Sequence, residues 1–152
     1  MFDARISGEP LHPEAEFAAF LTGLDGEGAA VSFVGVARGS TREGVPVERL
    51  FLDHHPTLSA RSVCDIADAA RQRFAVSTIR VVHRSGEVRP KDAIVFVAAG
   101  SAHRRAAFEA ADYLMDRLKT EAVFWKQEDT ASGSRWIEPA PSDYTDTARW
   151  SD

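Results

Sequence analysis

Two lysines seven residues apart, Lys119 and Lys126, enclose the apolar run Val123, Phe124, Trp125 in the stretch DRLKTEAVFWKQE. An amine pair of this kind can hold an anion, exchange a proton or stabilise developing negative charge, provided the chain supplies a place for an anionic or acylating substrate. Two further basic groups mark such places. In FVAAGSAHRRAAFEA a strand ends at Gly100, Ser101 is placed to cap a helix, and His103, Arg104 and Arg105 fall in its first turn. Free amides and the helix dipole favour an anion there, while cations alone are locally unfavourable, so this clustering fits a bound phosphate or carboxylate. Arg38 follows VSFVGVA between Gly35 and Gly39, which leave room for a ligand against the backbone. Each group also has an ordinary reading, as solvated arginines on a capped helix and as a plain polar turn after a strand.

Other reactive residue types carry less. His54 and His55 are adjacent on a predicted strand and point to opposite faces, which makes joint metal ligation a poor reading. Cys64 lies on the apolar stripe of a predicted helix and reads as a small buried hydrophobe. His83 precedes RSGE at a strand end, in reach of a neighbouring turn. No carboxylate pair, glycine-rich phosphate loop or serine elbow is present at convincing spacing.

The elements that must position these groups are bounded by composition. With 152 residues, 44% hydrophobic and 27% charged, the chain has material for one domain with a real core. A formal net charge of -5 argues against a general nucleic-acid or anionic-membrane surface and leaves any anion chemistry to a local pocket. No apolar run approaches the ~18 residues of a membrane span, and MFDARISGEP lacks a basic region followed by a hydrophobic stretch. The expected compartment is therefore the cytoplasm. One cysteine allows no internal disulfide and argues against a structural zinc site, so no metal is expected.

The chain reads as alternating short strands and helices in an α+β order with several hairpins and three main helices. ARIS is a first strand, and HPEAEFAAFLTGL a helix with Pro13 in its first turn and Gly23 near its end. GAAVSFVGVA is a buried strand with VERLFLDH as its hairpin partner across the polar loop RGSTREGVP. TLSARSVCDIADAARQRF carries Val63, Ile66, Ala67, Ala70 and Phe74 at helical spacing. VSTIRVVHRSG and AIVFVAAG are two further strands joined by a turn at EVRPKD. A last long helix runs from about Ser101 to Lys119 with Ala107, Ala111, Leu114 and Leu118 on one stripe, followed by strand-like AVFWKQE and SRWIE. Residues 1–140 form the predicted domain and residues 141–152 a C-terminal tail.

Between about Gly28 and Glu138 the order of motifs resembles the large, catalytic subunit family of molybdopterin synthases. VSFVGVARG is similar to that family's strand ending in glycine, a spacer and arginine. LDHHP, VVHRSGEVRPKDAIVFV, SAHR, MDRLKTEAVFWKQE and SRWIE follow in the family's order. The resemblance implies a single α/β-hammerhead-like domain of mixed, largely antiparallel hairpins. It also implies a sulfurtransferase that converts cyclic pyranopterin monophosphate into molybdopterin. Each sulfur of the dithiolene is brought as a thiocarboxylate on the C-terminal glycine of a small ubiquitin-like partner, and two copies of this chain form the centre of a heterotetramer. No cofactor is required, and no cysteine of this chain is needed.

Carried over by that resemblance, Lys119 is the principal catalytic residue and Lys126 its electrostatic partner. The substrate pocket comprises Val36, Ala37, Arg38, His103, Arg104, Met115, Gln127 and Glu128. Departures from the family pattern are His55 in place of tyrosine, Lys91 in place of glycine, Val123 in place of proline, and Ala140 near an arginine of some relatives. With alanine at 140, phosphate binding is expected either to depend more on Arg38, His103 and Arg104 or to draw on Arg135. Two rival readings remain: a non-catalytic sensor of an anionic metabolite, which leaves the lysines without a role, and an adaptor for a ubiquitin-like protein, which lacks the pterin pocket.

Overall fold

The segment AIVFVAAGS contains almost nothing polar because both of its faces are covered. In the computed structural model, which describes residues 2–151, it forms β6 (Ala93–Ser101), buried continuously from Val95 onward. The other elements are β1 (Phe2–Ser7), α1 (Pro13–Thr22), β2 (Ala29–Val36), β3 (Arg49–His54), α2 (Leu58–Arg73), β4 (Thr78–Arg84), β5 (Gly86–Val88), α3 (Arg104–Glu121), β7 (Phe124–Thr130), β8 (Gly133–Ile137) and α4 (Pro141–Ala148). They build an α+β domain around two four-stranded sheets, ordered β1-β4-β6-β2 and β5-β3-β7-β8. Only β1 and β4 run parallel; the remaining pairs are antiparallel.

Helices α2 and α3 cover one face of the first sheet. Val63, Ile66, Ala67 and Ala70 of α2 meet Ile79, Val81, Val95 and Val97 of the strands and Leu114 and Leu118 of α3. Fully burying such a side chain contributes about 1.5–3 kcal/mol, so this layer dominates the domain's stability. Helix α1 covers the other face, where Phe20 and Leu11 pack on Val82, Phe96 and Ala98. Pro13 starts α1 without losing a helical hydrogen bond, and Glu14 and Glu16 suit the positive end of its dipole.

Three expectations are corrected. β2 pairs with β6, not with β3. Leu50 and Leu52 of β3 are drawn instead into a separate cluster with Ala37, Val47 and Val88, and β3 pairs with β5 and β7. The turn EVRPKD is partly strand, since Gly86–Val88 forms the edge of the second sheet. The α3 helix begins at Arg104 with His103 at its N-cap. Ser101 is not its N-cap residue: it ends β6 opposite Ala29, and its hydroxyl donates to Ala75 O at 2.7 Å while accepting His103 N at 3.3 Å.

The residues set aside as a tail contain a fourth helix, α4, docked on α3. Thr147 Oγ1 donates to Asp116 O at 2.9 Å, Trp150 Nε1 to Asp116 Oδ2 at 2.7 Å, and the Trp150 ring meets Phe74 and Tyr113 edge-on. No helix among the described residues is long and apolar enough to cross a membrane.

Packing is tight where the two central strands meet α1. A Cβ on Gly100 would lie 2.7 Å from Thr78 Cγ2 and 3.0 Å from Leu24 Cδ2. Gly100→Ala should therefore destabilise the fold by about 1–3 kcal/mol through overpacking. Urea unfolding with an unchanged native far-UV spectrum is the measurement, and a variant as stable as the parent would refute this tightness.

Candidate active site

Lys119 and Lys126 are brought together by a short connection with unusual anchorage. Only Ala122 and Val123 separate α3 from β7. The peptide of Val123 is clamped to the first turns of α2: Ser59 Oγ donates to Val123 O, and Val123 N donates to Ser62 Oγ at 3.0 Å. Ser59 is fully buried and also accepts from His55 N at 2.8 Å. His55 is no metal ligand; its Nδ1 accepts the amides of Thr57 and Leu58 at 3.2 and 3.0 Å and so caps α2, whose N-cap residue makes no side-chain bond.

The clamp leaves Lys119 exposed in the last turn of α3 and sends β7 through the middle of the second sheet. Strand alternation puts Phe124, Lys126 and Glu128 on one face, the same face as Leu50 and Leu52 of β3. Lys126 is half-buried there, opposite Leu52 and Ile137. Burial is the first cause that lowers the pKa of Lys126, the charge of Lys119 the second, with Arg42 acting in the same direction and Glu128 and Asp143 opposing. Its neutral amine is thus more accessible than that of a surface lysine.

Sequence reasoning left His83 at the margin, and the fold puts it beside the lysines. The ring stacks on Phe124, centroids 4.0 Å apart and planes 18° apart. Nδ1 lies 2.8 Å from Arg84 O, and because a carbonyl only accepts, Nδ1 carries the proton and Nε2 the lone pair. Burial lowers its pKa to about 4, and the charges of Lys126 and Lys119 add to the shift. His83 is therefore neutral at pH 7 and adds no third cation to the pair. Arg42, in the loop between β2 and β3, also belongs here: Nη2 donates to Glu138 O at 3.1 Å and its charge reaches Lys126.

The remaining predicted residues do not all converge. Glu128 is buried and accepts Arg135 Nε at 3.2 Å, while Arg135 Nη2 reaches Glu43 at 2.7 Å, so Arg135 is committed to two carboxylates and is a poor anion ligand. Gln127 lies on the opposite face of β7, in register with Phe51 and Trp136. Ala37 is buried in the β3 cluster, and Val36 lines a cleft on the α1 face of the first sheet. Met115 lies one turn before Lys119 and lines a 250 Å³ recess with Val31, Phe33 and Phe108. Arg38, His103 and Arg104 are exposed and form no ion pair among the described residues. At ~1.5 Å per residue, the His103 end of α3 lies roughly 24 Å from Lys119. Cys64 is no nucleophile: its thiol donates to Ala4 O at 3.3 Å and burial raises its pKa. No group of His, Cys, Asp and Glu among the described residues is arranged to hold a metal ion.

The depressed His83 pKa gives a sign-definite expectation. Between about pH 6.5 and 4 the unfolded chain binds a proton that the folded chain does not. The stability from neutral His83 is thus complete above 6.5 and is lost as pH falls toward 4, by an amount on the order of 3 kcal/mol. His83→Gln should flatten that part of the curve relative to the parent in urea unfolding at pH 7 to 4.5. Parallel curves would show that His83 titrates normally.

Known proteins resemble this chain over nearly its whole length. The molybdopterin synthase catalytic subunit of Caulobacter vibrioides is 43% identical over 145 residues, covering 95% of each chain. That of Escherichia coli K12 is 44% identical over 131 residues, covering 86% of this chain and 87% of the relative. The solved molybdopterin biosynthesis MoaE protein of Burkholderia ambifaria MC40-6 superposes with a TM-score of 0.84 at 36% identity, over 100% of this chain and 99% of the other. The family profile described as MoaE protein matches residues 6–121, from β1 to the end of α3, and the aligned relatives extend the match through β7 and Lys126. The chain belongs to the MoaE protein family.

Proposed function

We propose that this chain is the catalytic subunit of a molybdopterin synthase, building the dithiolene of molybdopterin on cyclic pyranopterin monophosphate with sulfur from a partner's C-terminal thiocarboxylate. The observation that carries the reading is the lysine pair, close enough for the charge of Lys119 to lower the pKa of Lys126, beside a neutral, oriented histidine in a chain of the MoaE family. Lys119, exposed at the end of α3, is the cation that meets the partner's anionic terminus and the negative charge developing on transfer. Lys126, held partly out of water, exchanges the proton. His83 keeps the local charge low enough for Lys126 to do so. The partly buried thiol of Cys64, its pKa raised, suits a reaction whose sulfur arrives from outside the chain.

The phosphate needs its own cations, and α3 is too long for His103 and Arg104 to reach a pterin at Lys119 of the same chain. In this reading two copies share each site across a twofold axis, with His103 and Arg104 of one copy holding the phosphate beside Lys119 and Lys126 of the other.

The test is incubation with the pterin precursor and a thiocarboxylated ubiquitin-like partner, with detection of the dithiolene product. Lys119→Ala should lower product formation at least ~100-fold with stability changed by less than about 0.5 kcal/mol, as for an exposed side chain. Lys126→Arg keeps the charge but not a proton that can leave at neutral pH, and should retain partner binding while losing turnover. Near-parental rates in both variants would remove the pair from the mechanism.

Complementation tests the shared site. A Lys119→Ala chain mixed with a His103→Ala, Arg104→Ala chain should regain activity after subunit exchange, because one of the two sites in each mixed dimer carries every defect and the other none. Verified mixed dimers that stay inactive, with both variants folded, would refute it.

A further inference from the structure

The second cation site lies on the other side of the first sheet. A cleft of about 450 Å³ opens between the start of α1 and the ends of β2, β4 and β6, lined by Pro10, Leu11, Pro13, Val34, Val36 and Ala93 together with His12, Arg84, Lys91 and Asp92. Val34, Leu11 and Ala93 belong to the α1-facing core, whereas α3 and Lys119 sit on the opposite face. The cleft is thus separate from the lysine pair.

Two features of its basic residues call for a ligand. Arg84 is only 5% exposed, yet no carboxylate among the described residues pairs with it. Its Nη2 donates to Glu87 O at 2.9 Å and to Ser85 O at 3.5 Å, while its buried Nε has no hydrogen-bond partner. A buried guanidinium that retains both its charge and a free donor is costly unless an anion completes it. Lys91 supplies the second feature. It is the third residue of the turn Arg89–Asp92, closed by Asp92 N to Arg89 O at 3.0 Å, and its φ is +77°. It is the one residue other than glycine among those described with positive φ. Turns with proline second and positive φ third ordinarily take glycine there, since a side chain is strained in that conformation. The backbone is held in place by Lys91 N to Ala37 O and Ala37 N to Asp92 O, each 2.8 Å. The strained position therefore puts a lysine without an ion pair among the described residues on the wall of the cleft that Arg84 lines. The cleft's own carboxylate, Asp92, accepts Arg89 N at 3.1 Å and pairs with neither cation.

We propose that this cleft binds an organic anion, its carboxylate or phosphate head on the Arg84 guanidinium and Lys91 Nζ and its apolar body along Leu11, Pro13, Val34 and Val36. The head is anionic because Arg84 and Lys91 both line the cleft. The body is apolar because six of the ten lining residues are.

The probe is phenyl phosphate, added to the full-length ¹⁵N-labelled chain and followed at the Arg84 Nε–H resonance and the amides of Lys91, Asp92 and Ala93. These signals should move together and saturate. Lys91→Gly removes the cation and relieves the turn, so its melting temperature should equal or exceed the parent's while phenyl phosphate binds about tenfold more weakly, the loss expected for one charged contact. Signals that do not saturate, shifts confined to Lys119, Lys126, His103 or Arg104, or unchanged affinity in a folded Lys91→Gly chain would each overturn the proposal.

Discussion

The two hydrogen bonds that hold the Val123 peptide between Ser59 and Ser62 are the constraint on which the rest of the molecule turns. They lie where the chain leaves the helical layer of the first sheet and enters the centre of the second. Both partners are side chains of α2, so the position of β7 is set by a helix some sixty residues earlier in the sequence. Without the clamp, nothing local would define how far Lys126 lies from Lys119, since a two-residue connection after a helix tolerates many exit directions. Ser59 makes this anchorage strict: a fully buried hydroxyl loses more by going unpaired than it gains by pairing, so the clamped geometry is favoured mainly through the cost of its alternatives.

That anchorage creates an electrostatic problem which the surrounding residues moderate. A half-buried ammonium beside a second one is disfavoured, and desolvation and repulsion act in the same direction on Lys126. Glu128 and Asp143 offset part of the cost, yet Glu128 is already engaged by Arg135 and compensates incompletely. His83 could have worsened the balance. Its stack on Phe124 and its bond to Arg84 O fix a neutral tautomer, so the same burial that destabilises charge on the lysine removes it altogether from the imidazole.

What was legible in the sequence follows the range of the interactions involved. Lys119 and Lys126 were found because a helix end and a strand start are local features, and Pro13 and Gly23 marked α1 for the same reason. The pairing of β2 was missed because a hairpin is the nearest partner in sequence, whereas the choice was made by the burial of Leu50 and Leu52 against Val88. His83 has no local signature; its meaning comes from β4 and β7 meeting at Phe124. Gln127 shows the limit of carrying residues across a strand by position alone, since the face that receives the core at Lys126 turns the next side chain away. Helix α4 escaped notice because it has no buried residue of its own and is held by polar bonds to Asp116 and by the Trp150 ring that follows it.

Charge distribution connects the two faces. The chain has 23 acidic and 18 basic side chains apart from histidine, so carboxylates are in excess and most arginines could find one. Arg5, Arg49, Arg71, Arg80, Arg89, Arg117, Arg135 and Arg149 do. Arg38, Arg84, Lys91, Arg104, Lys119 and Lys126 have no such partner among the described residues. In an acidic chain that pattern is not enforced by scarcity. Surface pairs contribute little to stability, so an exposed lysine without one is unremarkable, but a guanidinium buried to 95% and an ammonium on a strained turn are different cases. The fold spends conformational and desolvation energy to keep those charges in place and unneutralised. That is the pattern expected where the counter-charge arrives with a ligand.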